Sequence, residues 1–135
     1  MSPELEMVLR LLLAVGLAAL IGLERQHAGK AAGLRTHLLV CIGAALFTIA
    51  SIYGFGEGGD PARVAAGIVA GIGFLGAGAI ISTREGILVG LTTAASIWAV
   101  AAIGLAAGAG LYILAPVATA VVLIVLRLPK RIGGE

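Results

Sequence analysis

Residues 86–126 read GILVGLTTAASIWAVAAIGLAAGAGLYILAPVATAVVLIVL, 41 positions without a single charged side chain. As one helix this run would be about 62 Å long at 1.5 Å per residue, twice the roughly 30 Å hydrocarbon core of a bilayer. It must therefore fold back on itself. Gly104, Gly108 and Gly110 cluster near its middle and mark the expected turn. The reading is two membrane helices, about Gly86–Leu105 and Leu111–Arg127. Pro116 falls in the first turns of the second one, where a missing N–H is tolerated or kinks the helix.

Working outward, three more apolar stretches have the length of a span: about Leu5–Leu23, His37–Phe55 and Pro61–Ser82. Of the 135 residues, 60% are hydrophobic and 12% charged, against about 25% charged in a soluble domain. Mean hydropathy is +1.12. So few charges cannot cover a water-facing surface, which excludes an ordinary soluble enzyme and points to lipid as the solvent. The expected fold is all-α: one polytopic transmembrane domain, residues 1–135, a bundle of five transmembrane helices. Glu4 and Glu6 precede the first apolar run where a secretory signal would be positive, so it reads as an uncleaved helix. Cys41 lies in an apolar stretch and reads as a small buried residue.

Orientation follows from the basic residues. Arg25, Lys30, Arg35, Arg84, Arg127, Lys130 and Arg131 are seven of the nine, and an odd number of spans puts them all on one side. Arg10 and Arg63 fall on the other, with Glu4, Glu6, Glu57 and Asp60. The positive-inside rule then places the N-terminus outside and the C-terminus in the cytoplasm. The net charge of +2 is thus a topology signal and not a sign of nucleic-acid binding. Arg10, near a helix end, is expected to snorkel.

Glycine makes up 21 residues, about twice average usage. Gly67, Gly71, Gly73, Gly76 and Gly78 crowd the third helix, and Gly67–Gly71, Gly86–Gly90 and Gly104–Gly108 are GxxxG pairs. Small residues let helix backbones approach in lipid, so the third helix is expected at the packed centre of the bundle. Gly71–Gly76 also spells GxGxxG, but it lies inside an apolar span with no acidic residue about 20 positions on, so it is not a dinucleotide site.

Polar residues gather at the span ends. Asp60 and Pro61 suit the N-cap and first position of the third helix. Arg63, one turn in, either snorkels or shares a polar site with Asp60 or Glu57. Glu24 directly follows an apolar run, at a depth where an ionised group needs a partner, and Arg25 and Arg35 are the candidates. Glu24 and His27 have Glu-x-x-His spacing, but a metal bundle needs a second copy; with His37 they read as a solvated or headgroup-facing cluster, and no metal or other cofactor is expected. Thr92, Thr93 and Ser96 supply hydroxyls in the fourth helix, beside Trp98, as interhelical glue or a polar patch. No catalytic arrangement is suggested, and the chain is not expected to be an enzyme.

In order along the chain stand Gly22-Leu23-Glu24-Arg25, Ala32-Gly33-Leu34-Arg35-Thr36 with Leu39-Val40, Asp60-Pro61-Ala62-Arg63, Gly71-Ile72-Gly73-Phe74-Leu75-Gly76-Ala77-Gly78 and Gly90-Leu91-Thr92-Thr93-Ala94-Ala95-Ser96-Ile97-Trp98. From about Gly16 to Tyr112 this set resembles the membrane domain of the MgtC/SapB family. The resemblance implies a bacterial inner-membrane protein tied to growth under magnesium limitation and, in pathogens, to survival in host cells. It implies regulation of other membrane machines, including proton-driven ATP synthesis. The family's motif positions fall on Glu24, Arg25, Arg35, Asp60, Arg63, Thr92 and Trp98. Many members continue into a soluble cytoplasmic domain, whereas this chain stops nine residues after Leu126.

Three functions follow as expectations. The first is a regulator that touches another membrane protein, or a second copy of itself as a homodimer, through helix contacts in the bilayer. The second is an ion or solute transporter lined by Glu24, Arg35, Asp60 and Arg63. The third is a lipid-binding module holding anionic headgroups at Arg25, Lys30 and Arg35.

Overall fold

The computed structural model describes residues 1–82 and 88–129. Among the described residues five helices form: α1 Pro3–His27, α2 Leu34–Tyr53, α3 Pro61–Ala79, α4 Leu91–Gly108 and α5 Leu114–Leu126. Between α3 and α4, β1 Ile81–Ser82 pairs antiparallel with β2 Leu88–Val89, Ile81 opposite Val89. The helix starts follow local chemistry. Ser2 Oγ accepts from Leu5 N at 3.2 Å and Pro3 opens α1; Asp60 Oδ1 accepts from Ala62 N at 3.1 Å and Pro61 opens α3. Both oxygens satisfy N–H groups that a helix leaves unpaired.

Four helices, α1 to α4, are long and apolar enough to cross a membrane. α5 has 13 residues, about 20 Å of helix, less than the hydrocarbon core. It begins later than Leu111 because Gly110 takes a left-handed conformation (φ 86°) and Tyr112 N bonds Gly110 O. Pro116 sits in the first turn, where a missing N–H is tolerated.

Other boundaries also shift. α1 runs past Leu23 to His27, and Gly29 (φ 72°) ends it as Lys30 N bonds Arg25 O. α2 starts at Leu34 and not at His37, because Gln26 Oε1 accepts from Leu34 N at 3.1 Å and caps it. α3 stops at Ala79 and α4 starts at Leu91, since the hairpin replaces the helix ends expected up to Ser82 and from Gly86. Arg84, Gly86, Lys130 and Arg131 lie outside the described residues.

The packed centre is α4, not α3. α4 touches all four other helices and buries Thr93, Ala94, Ser96, Ile97, Val100, Ala101, Ile103, Gly104, Ala107 and Gly108. α3 buries only Ile68 and Gly76. A Cβ added at Gly67, Gly71, Gly73 or Gly78 would meet open space, and at Gly76 only ordinary contact with Ala94. The expected packing stripe is therefore largely unpartnered within one chain. Gly104 and Gly108, read as part of a turn, are helical and make the close approach instead. A Cβ on Gly104 would overlap the Cys41 carbonyl oxygen, and one on Gly108 would lie 2.7 Å from Ala45 O. That contact lets α2 and α4 pack backbone to backbone.

Candidate functional site

Two polar nodes close the bundle at its ends, about 22 Å apart along α1. The first joins the end of α1 to the starts of α2 and α4. Glu24 and Arg25 are adjacent, yet their side chains meet: Arg25 Nε donates to Glu24 Oε1 at 2.7 Å and Nη2 to Oε2 at 3.0 Å. Nη2 also reaches Leu126 O at 3.4 Å, so the guanidinium ties α1 to the C-terminal end of α5. Arg25 is 2% exposed, and its Nη1 is buried without a hydrogen-bond partner among the described residues. Two-point pairing of this kind is the geometry in which a buried arginine is tolerated.

His37, fully buried, stands beside this pair. Its Nδ1 lies 2.8 Å from Gly33 O and its Nε2 2.9 Å from Ser96 Oγ. Ser96 Oγ lies in turn 2.9 Å from Thr93 O. The chain Gly33–His37–Ser96–Thr93 thus links α2 to α4 in a buried environment. His37 spends both ring nitrogens this way and does not join Glu24 and His27 in a cluster; His27 is exposed.

The second node lies at the opposite end. Arg10 Nη1 donates to Gly108 O, the last carbonyl of α4, at 3.0 Å, and Nη2 to Glu6 Oε1 at 3.4 Å. Its guanidinium stands 5.2 Å over the Tyr53 ring, a cation–π contact. Tyr112 Oη donates to Glu6 Oε2 at 2.5 Å. That bond to a carboxylate holds the Tyr112 phenol above the usual tyrosine range. A Cβ at Gly110 would lie 2.8 Å from Arg10 Cζ, so glycine is needed there for space as well as for its φ. Arg10 is therefore a clasp on the end of α4 and not a snorkelling side chain.

The other expected site residues are scattered. Arg35 is exposed on α2, so Glu24 takes Arg25 as its partner. Asp60 and Arg63 are exposed at the start of α3, at the opposite end of the bundle from Glu24. The structure does not bring Glu24, Arg35, Asp60 and Arg63 together along one path. Thr92 and Ser96 line a cleft of about 270 Å³ between α4 and α5. Trp98 is half exposed and borders a cleft of about 170 Å³ against Ile68, Val69 and Ile72 of α3. A larger open groove of about 540 Å³ runs between α2 and α3, apolar throughout, with Gly43, Gly67 and Gly71 among its walls.

Glu6, Tyr53 and Tyr112 were not legible as a site. The Glu6–Arg10 spacing of four is a helix-pair signal, but nothing local ties Tyr112 to a residue 106 positions away.

With this geometry in place, comparison with known proteins decides the family. The MgtC family model matches residues 11–134. The chain belongs to the MgtC family. It is 49% identical over 128 residues to a candidate magnesium transporter, YhiD, of Escherichia coli K12, covering 90% of this chain and 59% of that protein. It is 52% identical over 110 residues to protein MgtC of Brucella abortus, covering 81% and 45%, and 50% identical over 117 residues to MgtC of Salmonella typhimurium, covering 86% and 49%. The chain thus spans about half the length of these MgtC-family relatives. No solved structure matches it. The family match and four apolar helices of membrane-crossing length together make it a multi-pass membrane protein.

Proposed function

We propose that this chain is the membrane domain of a bacterial inner-membrane regulator, acting in adaptation to low magnesium, and that it docks on other membrane proteins through α3. The supporting observation is that α3 is apolar and glycine-rich, yet buries only Ile68 and Gly76 within the chain. Gly67, Gly71, Gly73 and Gly78 face open space, and the α2–α3 groove lies beside Gly67 and Gly71. A purely lipid-facing helix has no use for such a surface, whereas a partner helix can approach closely over it. In this reading α5 is the fifth, short span, the N-terminus is outside, the C-terminus is cytoplasmic, and the domain carries no catalysis. Contact with a second copy of the chain is one form such docking takes.

The test is co-purification from native membranes. Gly71→Leu should abolish capture of the partner while the purified variant keeps the wild-type melting profile. Retained capture by Gly67→Leu, Gly71→Leu and Gly78→Leu would contradict the docking role. The transport reading predicts magnesium flux in reconstituted vesicles that Asp60→Ala abolishes; the dispersal of Glu24, Arg35, Asp60 and Arg63 weighs against it.

A further inference from the structure

The His37 node carries an inference separate from docking. Gly33 O and Thr93 O are carbonyls and can only accept hydrogen bonds. Nδ1, 2.8 Å from Gly33 O, therefore carries a proton. Nε2 and Thr93 O are then both left facing one serine hydroxyl, each 2.9 Å from Oγ. That hydroxyl has one proton, so with a neutral imidazole only one of the two can receive it. When Nε2 is also protonated the conflict disappears: Nε2–H donates to Ser96 Oγ, and the hydroxyl donates to Thr93 O.

We infer that His37 is a proton-binding site whose loading reverses the hydrogen bond between α2 and α4. A proton from water adds to Nε2; no covalent bond other than N–H forms, and the Ser96 hydroxyl rotates from Nε2 to Thr93 O. Ser96, the partner of the imidazole, is among the residues that line the cleft between α4 and α5. The charged groups facing the imidazole come from α1: Arg25 and Glu24, of opposite sign and paired with each other. α4 and α5 contain no ionisable side chain, and Arg63, the one on α3, lies in its first turn at the far end of the bundle. The site is thus a titratable group beside a neutral ion pair, on the seam that holds the central helix.

The experiment is nitrogen NMR of the full chain, ¹⁵N-histidine labelled, in lipid nanodiscs between about pH 5 and 8, the range in which histidine titrates. The chain has two histidines, and a His27→Gln variant assigns the signals of His37. At the alkaline end His37 should show a protonated Nδ1 and a bare Nε2. On acidification both nitrogens should become protonated. Ser96→Ala should move the His37 midpoint by at least about half a pH unit; Ser96→Thr should restore it. An Nε2–H tautomer, a His37 signal constant across the range, or a midpoint indifferent to Ser96→Ala would overturn the inference. The wild-type tautomer and titration decide the matter even if Ser96→Ala fails to fold.

Discussion

Arg25 Nε donates to Glu24 Oε1 at 2.7 Å, although the two residues are neighbours in the chain and point from one turn of α1. The pair is nearly buried, with side chains 3% and 10% exposed. Truncating one member leaves the other's charge uncompensated away from water. Glu24→Gln should therefore cost about 3 kcal/mol of stability, read as a lower midpoint in SDS titration of the folded protein in mixed micelles. Arg25→Lys should also destabilise, since an ammonium cannot make the two-point contact. An unchanged midpoint in both variants would mean the pair contributes nothing.

The close α2–α4 approach makes a second prediction. Gly104→Ala and Gly108→Ala place a methyl against the backbone of α2, and overpacking of this kind costs about 1–3 kcal/mol. Gly71→Ala and Gly73→Ala add a methyl to open space and should stay within about 0.5 kcal/mol of wild type. Thermal unfolding of the four purified variants checks the contrast.

These glycines show what the sequence could and could not reveal. Small residues at helical spacing signal close packing, which is why Gly104 and Gly108 matter. The same signal at Gly67 and Gly71 does not say whether the neighbour belongs to the same chain. Expecting α3 at the centre was therefore reasonable from spacing alone, yet α4 holds that place. The helices themselves were legible because an uninterrupted apolar run of span length has few other solutions. The hairpin at Ile81–Ser82 and Leu88–Val89 was not, since a short apolar segment such as Leu88–Val89 fits a strand as well as a helix. Glu24 stood out because charge follows directly on apolar sequence; the pairing of Glu6 with Tyr112 depends on tertiary contact and leaves no local trace.

The Tyr112–Glu6 bond predicts a pH effect. A phenol whose pKa is raised by folding contributes stability that is present below the ordinary tyrosine range and lost as pH rises through the raised value. In a Tyr53→Phe background, where Tyr112 is the remaining tyrosine, ultraviolet absorbance should follow its ionisation. Glu6→Gln should bring that ionisation to lower pH. No movement would show that the carboxylate does not control the phenol.

Topology is open to direct labelling. In a chain whose single cysteine, the buried Cys41, is replaced by alanine, Ser2→Cys and Gly58→Cys should react with an impermeant maleimide on intact spheroplasts. Leu128→Cys should react only after permeabilisation. Labelling of Ser2→Cys and Leu128→Cys from one side would remove α5 as a span.

The α3 docking face is tested most directly by photo-crosslinking in native membranes. A benzophenone amino acid at Phe74, 84% exposed on α3, is compared with the same group at Leu12 on α1 and at Val121 on α5, both more than half exposed. A discrete protein adduct from position 74, absent from positions 12 and 121 and lost with Gly71→Leu, is the predicted result. Lipid adducts alone from all three positions would contradict it.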